Sequence, residues 1–339
     1  MAPEVPSIAS RLPVESWLRH LIALLLLALL AVPSSAQDIP SALPAAGHLL
    51  DLRDVREVSA SEGELLLNVS QVWQSATRYF DASGERRDLS LDQAVTRQST
   101  SLLLSYGLGD RWNAGAGLSI VNQLARRLSV LNFVPGASLL GQALPVGATT
   151  DLEQQGSGPG DLGFYLQYEP TWFGRRPLTW LTLDAVVPTA RDASADPFEL
   201  PLGQGYWTYR ISCSAMREIF PMTYFAKAGF EFNRSATLRS AAGRDFRLDP
   251  GEGLGFTTGA SYAIGKSVGL QGLLVGQWRD QGRRSDQAVP VAHTRSLDFR
   301  PGLTFGCGGF LMTGQLSTPL SGRNVLSMNG AMLTAEVRF

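Results

Sequence analysis

Two cysteines, Cys213 and Cys307, are all that the 339 residues contain, and they lack the close spacing of a metal ligand set. A zinc site is excluded on that ground, and no motif asks for a cofactor. Both cysteines fall on apolar alternating stretches, where the residue packs as a small hydrophobe; unpaired packing is expected rather than a disulfide. Charge is scarce as well, at 17% of residues against roughly 25% in soluble domains. With a formal net charge of -1 there is no polybasic surface, so nucleic acid is excluded as a partner. The longest apolar run, Leu21–Val32, has 12 residues, short of the roughly 20 that a spanning helix needs. A helical membrane protein is therefore excluded. What the chain has instead is 35 glycines and 19 prolines, a composition of many turns.

The short apolar run has a different meaning. Arg19 and His20 precede it, and Pro33, Ser34 and Ala36 follow, which suits cleavage before Gln37. Residues 1–36 read as a secretory signal peptide, although Glu4 and Glu15 offset Arg11 and Arg19 and leave the leading region only weakly positive.

From Glu64 to the C-terminus the chain breaks into segments of about ten residues whose apolar character alternates with period two. Leu65, Leu67, Val69 and Trp73 oppose Asn68, Ser70 and Gln74. Leu102, Leu104 and Tyr106 oppose Ser101 and Ser105. In "YFAKAGFEF" a lysine and a glutamate, Lys227 and Glu231, alternate with Tyr224, Ala226, Ala228, Phe230 and Phe232. A charge between aromatics suits a wall with lipid on one face and water on the other. Aromatics near segment ends (Trp73, Trp172, Trp180, Trp207, Tyr262 and Trp278) suit the interfacial girdles of such a wall.

The connections alternate in length. Short links centre on Gly109-Asp110, Gly174, Pro221, Gly265-Lys266 and Cys307. Long polar ones cover Asp81 to Asp92, Ala125 to Pro159, Pro188 to Gln204, Ser235 to Gly253, Asp280 to Pro290 and Pro319 to Leu326. Five short turns and six long loops make twelve strands with both ends on the periplasmic side. The expected fold is all-β: a transmembrane antiparallel up-and-down barrel over residues 64–339, in the outer membrane of a Gram-negative bacterium. The chain's last alternating residues, Leu333, Ala335, Val337 and Phe339, close that wall, and Val337 and Phe339 resemble the terminal signal read by the outer-membrane insertion machinery, with Thr334 where that signal often has Gly. Periplasmic chaperones and membrane lipids are the partners such a route implies, and a monomer is expected.

Three stretches carry a family resemblance: "SYGLGDRWNAGAGLSIV" (Ser105 to Val121), "GSGPGDLGFYLQYEP" (Gly156 to Pro170), and "LTLDAVVPTA" (Leu181 to Ala190) followed by "LPLGQGYWTY". Together they resemble the outer-membrane family described as involved in the meta-pathway of phenol degradation, whose third motif ends in Gly where this chain has Ala190. The resemblance implies a barrel that moves aromatic compounds. It assigns no functional residue.

If the apolar faces point to lipid, the lumen is lined by Glu169, Asp184, Arg210, Lys227, Glu231, Arg279, Asp298, Arg300, Glu336 and Arg338, among uncharged Asn68, Ser70, Gln167, Gln271 and Gln277. Such mixed charges either plug the interior with salt bridges or set a transverse field across a narrow path for a small solute. Residues 37–63, with Leu49, Leu50, Val55 and Val58 as an imperfect stripe, form either a plug or a periplasmic tail. Two alternatives to a channel stand open. One is a structural or receptor barrel acting through the loop from Ala125 to Pro159. The other is a lipid hydrolase with His and Ser two residues apart on one strand; here Arg295 follows His293 at that spacing and Ser296 falls on the opposite face, which argues against catalysis.

Overall fold

The computed structural model describes residues 60–89, 95–109, 111–130, 138–139, 142–143, 149–170, 178–190, 202–239, 245–265, 267–285 and 293–339. The expected signal peptide, most of residues 37–63, and Trp172 lie outside them. Twelve antiparallel strands form a closed barrel: β1 (Leu65–Ala76), β2 (Val95–Gly109), β3 (Trp112–Val130), β4 (Thr149–Tyr168), β5 (Leu178–Val187), β6 (Thr208–Ile219), β7 (Met222–Asn233), β8 (Gly253–Ala263), β9 (Val268–Arg279), β10 (Thr294–Cys307), β11 (Phe310–Arg323) and β12 (Asn329–Arg338). Each strand pairs with its sequence neighbours, and β1 pairs with β12 to close the ring. At that seam the last residue takes part: Phe339 N–H donates to Leu65 O at 2.9 Å and Leu65 N–H donates to Phe339 O at 3.2 Å.

Alternation and register together sort the side chains. Leu104, Leu183, Ile211, Leu270, Leu303 and Leu316 are 46 to 59% exposed on the outer face. Their neighbours in the chain turn inward and are buried, among them Ser105, Thr182, Ser212 and Gln315. The unpaired Cys213 and Cys307 are exposed, and Cys213 lies on the outward face with Leu181 and Ala228 opposite.

Several expected boundaries shift. The stretch from Ala125 to Pro159 is not one loop: residues 125–130 continue β3 and residues 149–159 begin β4, paired from Ala125↔Gln154 to Val130↔Thr149. Backbone pairing extends these two strands past their neighbours, since β2 reaches only Val95, opposite Ala125. Residues 319–323 belong to β11, and the turn near Cys307 is Gly308-Gly309, with Gly308 at φ 59°. The first segment ends at Ala76, and Arg78–Phe80 turn off into a hairpin with Arg86–Asp88 that also pairs with Val325–Leu326 at the long-loop end of the barrel. Trp180 is corrected as well. By register it stands opposite the buried Ser214, shares the parity of Thr182 and Asp184, and is only 4% exposed, so it is an interior residue and no part of a girdle. Trp207 and Trp278, 37% and 43% exposed, do face outward near the long-loop ends of their strands.

This hairpin is braced by Asp81, whose carboxylate accepts from the Ser83 hydroxyl and from the Ser83 and Glu85 N–H groups, with Arg87 at 2.6 Å. The Ser83 hydroxyl, followed by the two backbone N–H groups and Arg87, holds its pKa down to about 2 from 3.8. Because the folded value is the lower one, the brace is complete above the unfolded value and is lost as pH falls through the folded one. The Ser83 and Glu85 amide resonances should therefore hold from neutral pH to about pH 4 and move only as pH nears about 2; Asp81→Asn should abolish that titration.

The facing assignment makes a second prediction. Leu274 faces outward in the middle of β9, and Gln277, on the same strand, faces inward. Leu274→Arg should cost about 2 to 4 kcal/mol, the range for a lipid-facing Arg near the bilayer midplane, and lower the folded, heat-resistant fraction after refolding into lipid vesicles. Gln277→Arg should fold as the parent does. Equal yields from the two variants would overturn the assignment.

Candidate functional site: the barrel lumen

The ten charged positions read from the sequence do not form one constellation. By register they divide into three levels. Asp184, Arg210, Glu231 and Arg279 lie in the half of the barrel nearer the long loops, on β5, β6, β7 and β9. Lys227, Asp298 and Arg300 lie deeper, with Arg300 Nη2 3.9 Å from Asp298 Oδ2. Glu336 and Arg338 are at the short-turn end of the barrel on β12, 3.4 Å apart. Glu169 follows the last residue of β4, and its N–H donates to Arg111 O at the same rim.

The upper level is the best-defined cluster. Glu231, 5% exposed, accepts from Arg210 Nη2 at 2.8 Å on one oxygen, and from Arg279 Nη2 at 2.6 Å and Asn233 Nδ2 at 3.1 Å on the other. Asp184 stands directly across from Arg210 on the neighbouring strand. One carboxylate thus bridges two guanidiniums from β6 and β9. Arg279 also hydrogen-bonds the phenol of Tyr206, and burial is the chief reason that this phenol's pKa is raised.

Tyr206 was not a sequence-level candidate, and it introduces a second layer. Residues 202–206, just before β6, tuck Leu202, Gln204 and Tyr206 inward at 3 to 6% exposure. Asp161, on β4 and also missed, holds this segment: its two oxygens accept from Ala190 N–H at 3.0 Å and Gln204 N–H at 2.7 Å. Thr208 Oγ1 then donates to Gln204 Oε1 or Asn233 Oδ1, at 2.9 and 2.7 Å, linking the segment back to the cluster. Gly203 passes so close that a Cβ would stand 2.3 Å from Asp161 Oδ1. The reason for the latch is topological. The β4–β5 ladder stops at Leu162↔Val187, so among the described residues β4 above it has no strand on that side. Polar backbone left there needs other partners, and Leu162 N–H finds Thr189 Oγ1 at 2.9 Å.

These contacts draw together the stretches around Asp161, Thr189-Ala190 and Leu202–Trp207, which carried the family resemblance. The glycines of those stretches serve different ends. Gly158 takes a positive φ of 150°, whereas Gly160 is required for space, a Cβ there standing 2.3 Å from Ser119 Oγ; Gly109 has neither requirement.

Lower in the lumen the lining becomes mixed. Leu103 and Tyr165 pack together, and Leu273, Val275 and Trp180 are 0 to 4% exposed. Between them Trp180 Nε1, Thr182 Oγ1, Ser212 Oγ, Gln271 Nε2 and both amide atoms of Gln315 have no protein partner among the described residues. Buried polar atoms of this kind take water or a polar solute. No group of His, Cys, Asp and Glu among the described residues is arranged to hold a metal ion.

The architecture has a solved counterpart. The COG4313 outer membrane channel from Pseudomonas putida F1 superposes with a TM-score of 0.65 at 13% identity, over 83% of this chain and 97% of that one. The two share the fold of a closed antiparallel β-barrel. The transport unit of the Escherichia coli autotransporter AIDA-I (TM-score 0.48, 8% identity, 84% of this chain and 93% of that one) and the Ralstonia pickettii toluene transporter TbuX (0.43, 14%, 82% and 90%) are more distant, and nothing further rests on them. No protein-family model and no curated protein matches the chain.

Breaking the bridge in this barrel should be costly. Glu231→Ala leaves two guanidiniums facing across a lumen where the carboxylate is 6% exposed, and loss of one partner from a buried ionic network costs about 3 to 5 kcal/mol. Urea unfolding in detergent micelles should show a loss of that order. A loss below about 1 kcal/mol would mean that lumen water screens the charges as it does on a surface.

Proposed function

We propose that this protein is a monomeric outer-membrane channel for passive entry of small solutes. One observation carries the reading: the closed barrel turns an apolar, exposed face outward and encloses a lining of paired charges, amides with free valences and apolar side chains. The lining suits a solute that is partly apolar. Leu103 with Tyr165, and Leu273 with Val275, offer aliphatic and aromatic surface between polar atoms, a combination that fits a small aromatic compound carrying one or two hydrogen-bonding groups. Asp184, Arg210, Glu231 and Arg279 form the outer charged level of the route, Lys227, Asp298 and Arg300 its middle, and Glu169, Glu336 and Arg338 its periplasmic end. Entry by way of periplasmic chaperones and the insertion machinery, with Val337 and Phe339 as the terminal signal, belongs to the same proposal.

The plug reading of residues 37–63 belongs to the same proposal; among the described residues it is supported by the start of the segment that leads into β1. Residues 60–61 run along the inner face of β2, where Gly107 makes room: a Cβ there would stand 1.9 Å from Ser61 O. Gly63 N–H donates to Gly107 O at 3.0 Å, and Ala60 is 4% exposed. These contacts hold Ala60 and Ser61 against the inner face of the wall, which supports the plug over the tail.

Planar-bilayer recording tests both parts. The mature protein should show small, infrequent conductance steps, and deletion of residues 37–59 should raise conductance several-fold. If neither form conducts and liposomes containing them take up no small aromatic solute, the channel reading fails. Lipid hydrolysis by the same material, abolished by His293→Ala, would put an enzyme in its place.

A further inference from the structure

Just above Trp278 on the outer wall, two arginines stand directly opposite each other. Arg295 on β10 pairs with Arg323 on β11, and on its other side Arg295 pairs with Trp278 on β9. Alternation places them on the outward face with Leu297 and Phe299. Like charges directly opposite across strands repel, yet both side chains are held near the same spot. Arg323 Nε donates to Ala82 O, and Arg295 Nη2 comes within 3.9 Å of the point where a Cβ on Gly84 would stand. The nearby acids are engaged elsewhere. Asp81 is bound by Ser83, the Glu85 N–H and Arg87, and Glu85 pairs with Arg87 at 3.1 Å. Arg86 turns away to Pro319 O, with the Phe80 ring 5.1 Å from its guanidinium carbon. Neither Arg295 nor Arg323 has a carboxylate partner among the described residues.

We infer that Arg295 and Arg323 form a binding site for the phosphorylated headgroup of an outer-leaflet glycolipid. Two guanidiniums on one face match phosphate with paired, charge-assisted hydrogen bonds and would relieve their mutual repulsion. The wall below supplies the rest of the match. Trp278 at 43%, Leu320 at 52% and Phe299 at 39% exposure line the path that the acyl chains of a lipid held at this height would follow. A free anion would use the arginines alone, whereas a lipid uses both features, which is why a lipid is assigned. The site depends on the outer face only and stands whether or not the lumen conducts.

Native mass spectrometry of the detergent-purified mature protein tests it, with a bis-phosphorylated diglucosamine lipid and its dephosphorylated form as probes. The parent should retain the phosphorylated lipid with about tenfold preference, corresponding to about 1.4 kcal/mol. Arg295→Gln/Arg323→Gln should remove the preference while the folded barrel migrates unchanged; Arg295→Gln alone should reduce it severalfold and serves if the double variant does not assemble. Arg217→Gln removes an exposed charge from the periplasmic end of β6 and should leave the preference intact. A preference that survives in the double variant overturns the site. So does equal loss in Arg217→Gln, or abolition by inorganic phosphate equimolar with the lipid, which would mark a free-anion site.

Discussion

Hydrocarbon offers no hydrogen-bond partner to an N–H or C=O group, and the rest of this molecule depends on that constraint. A sheet can meet it only by leaving no edge. Twelve strands joined to their neighbours leave one open seam, and β1 with β12 closes it over ten paired positions from Leu66↔Arg338 to Ser75↔Asn329. The carboxyl-terminal phenylalanine contributes the last hydrogen bonds of that seam.

The same constraint decides where polarity goes. With lipid outside, each strand sends its polar side chains inward, and a narrow cylinder forces them into contact. Their charges must then be paired where water is scarce. Glu231 does so for two arginines, and Asp161 does the equivalent for backbone N–H groups where the β4–β5 ladder runs out. Local shortness of β5 thereby generates a structured inner segment, and that segment returns to the charge cluster through Tyr206 and Thr208.

Much of the architecture was legible in the chain because two physical signals are local. Alternation of apolar and polar residues reports which face each side chain takes, and the length of a connection reports which end of the barrel it occupies. Strand number, the direction of Leu104 and Ser105, and the outward aspect of Trp278 all follow from these. Where the signals weaken, the reading erred. Residues 125–130 and 149–159 carry loop-like composition, and only backbone pairing makes them strand. Trp180 was assigned by its type, although parity with Thr182 and Asp184 on the same strand already placed it inside.

The candidate site was legible only as an inventory. Inward-facing charges could be named from parity, but partners lie on strands separated by tens of residues. Glu231 meets Arg279 across 48 positions, and Arg86 reaches the Pro319 carbonyl across 233. Asp161 and Tyr206 share the inward parity of their stretches, but the contacts they make lie on other segments and left no local trace. By itself, then, the sequence determined the class of wall, the facing of its residues and the end at which each loop emerges, since those depend on alternation and spacing along one strand. Tertiary structure alone decided which charges meet, which strand stops short and what fills the gap, because stagger between strands is a property of the closed ring and of no single segment in it.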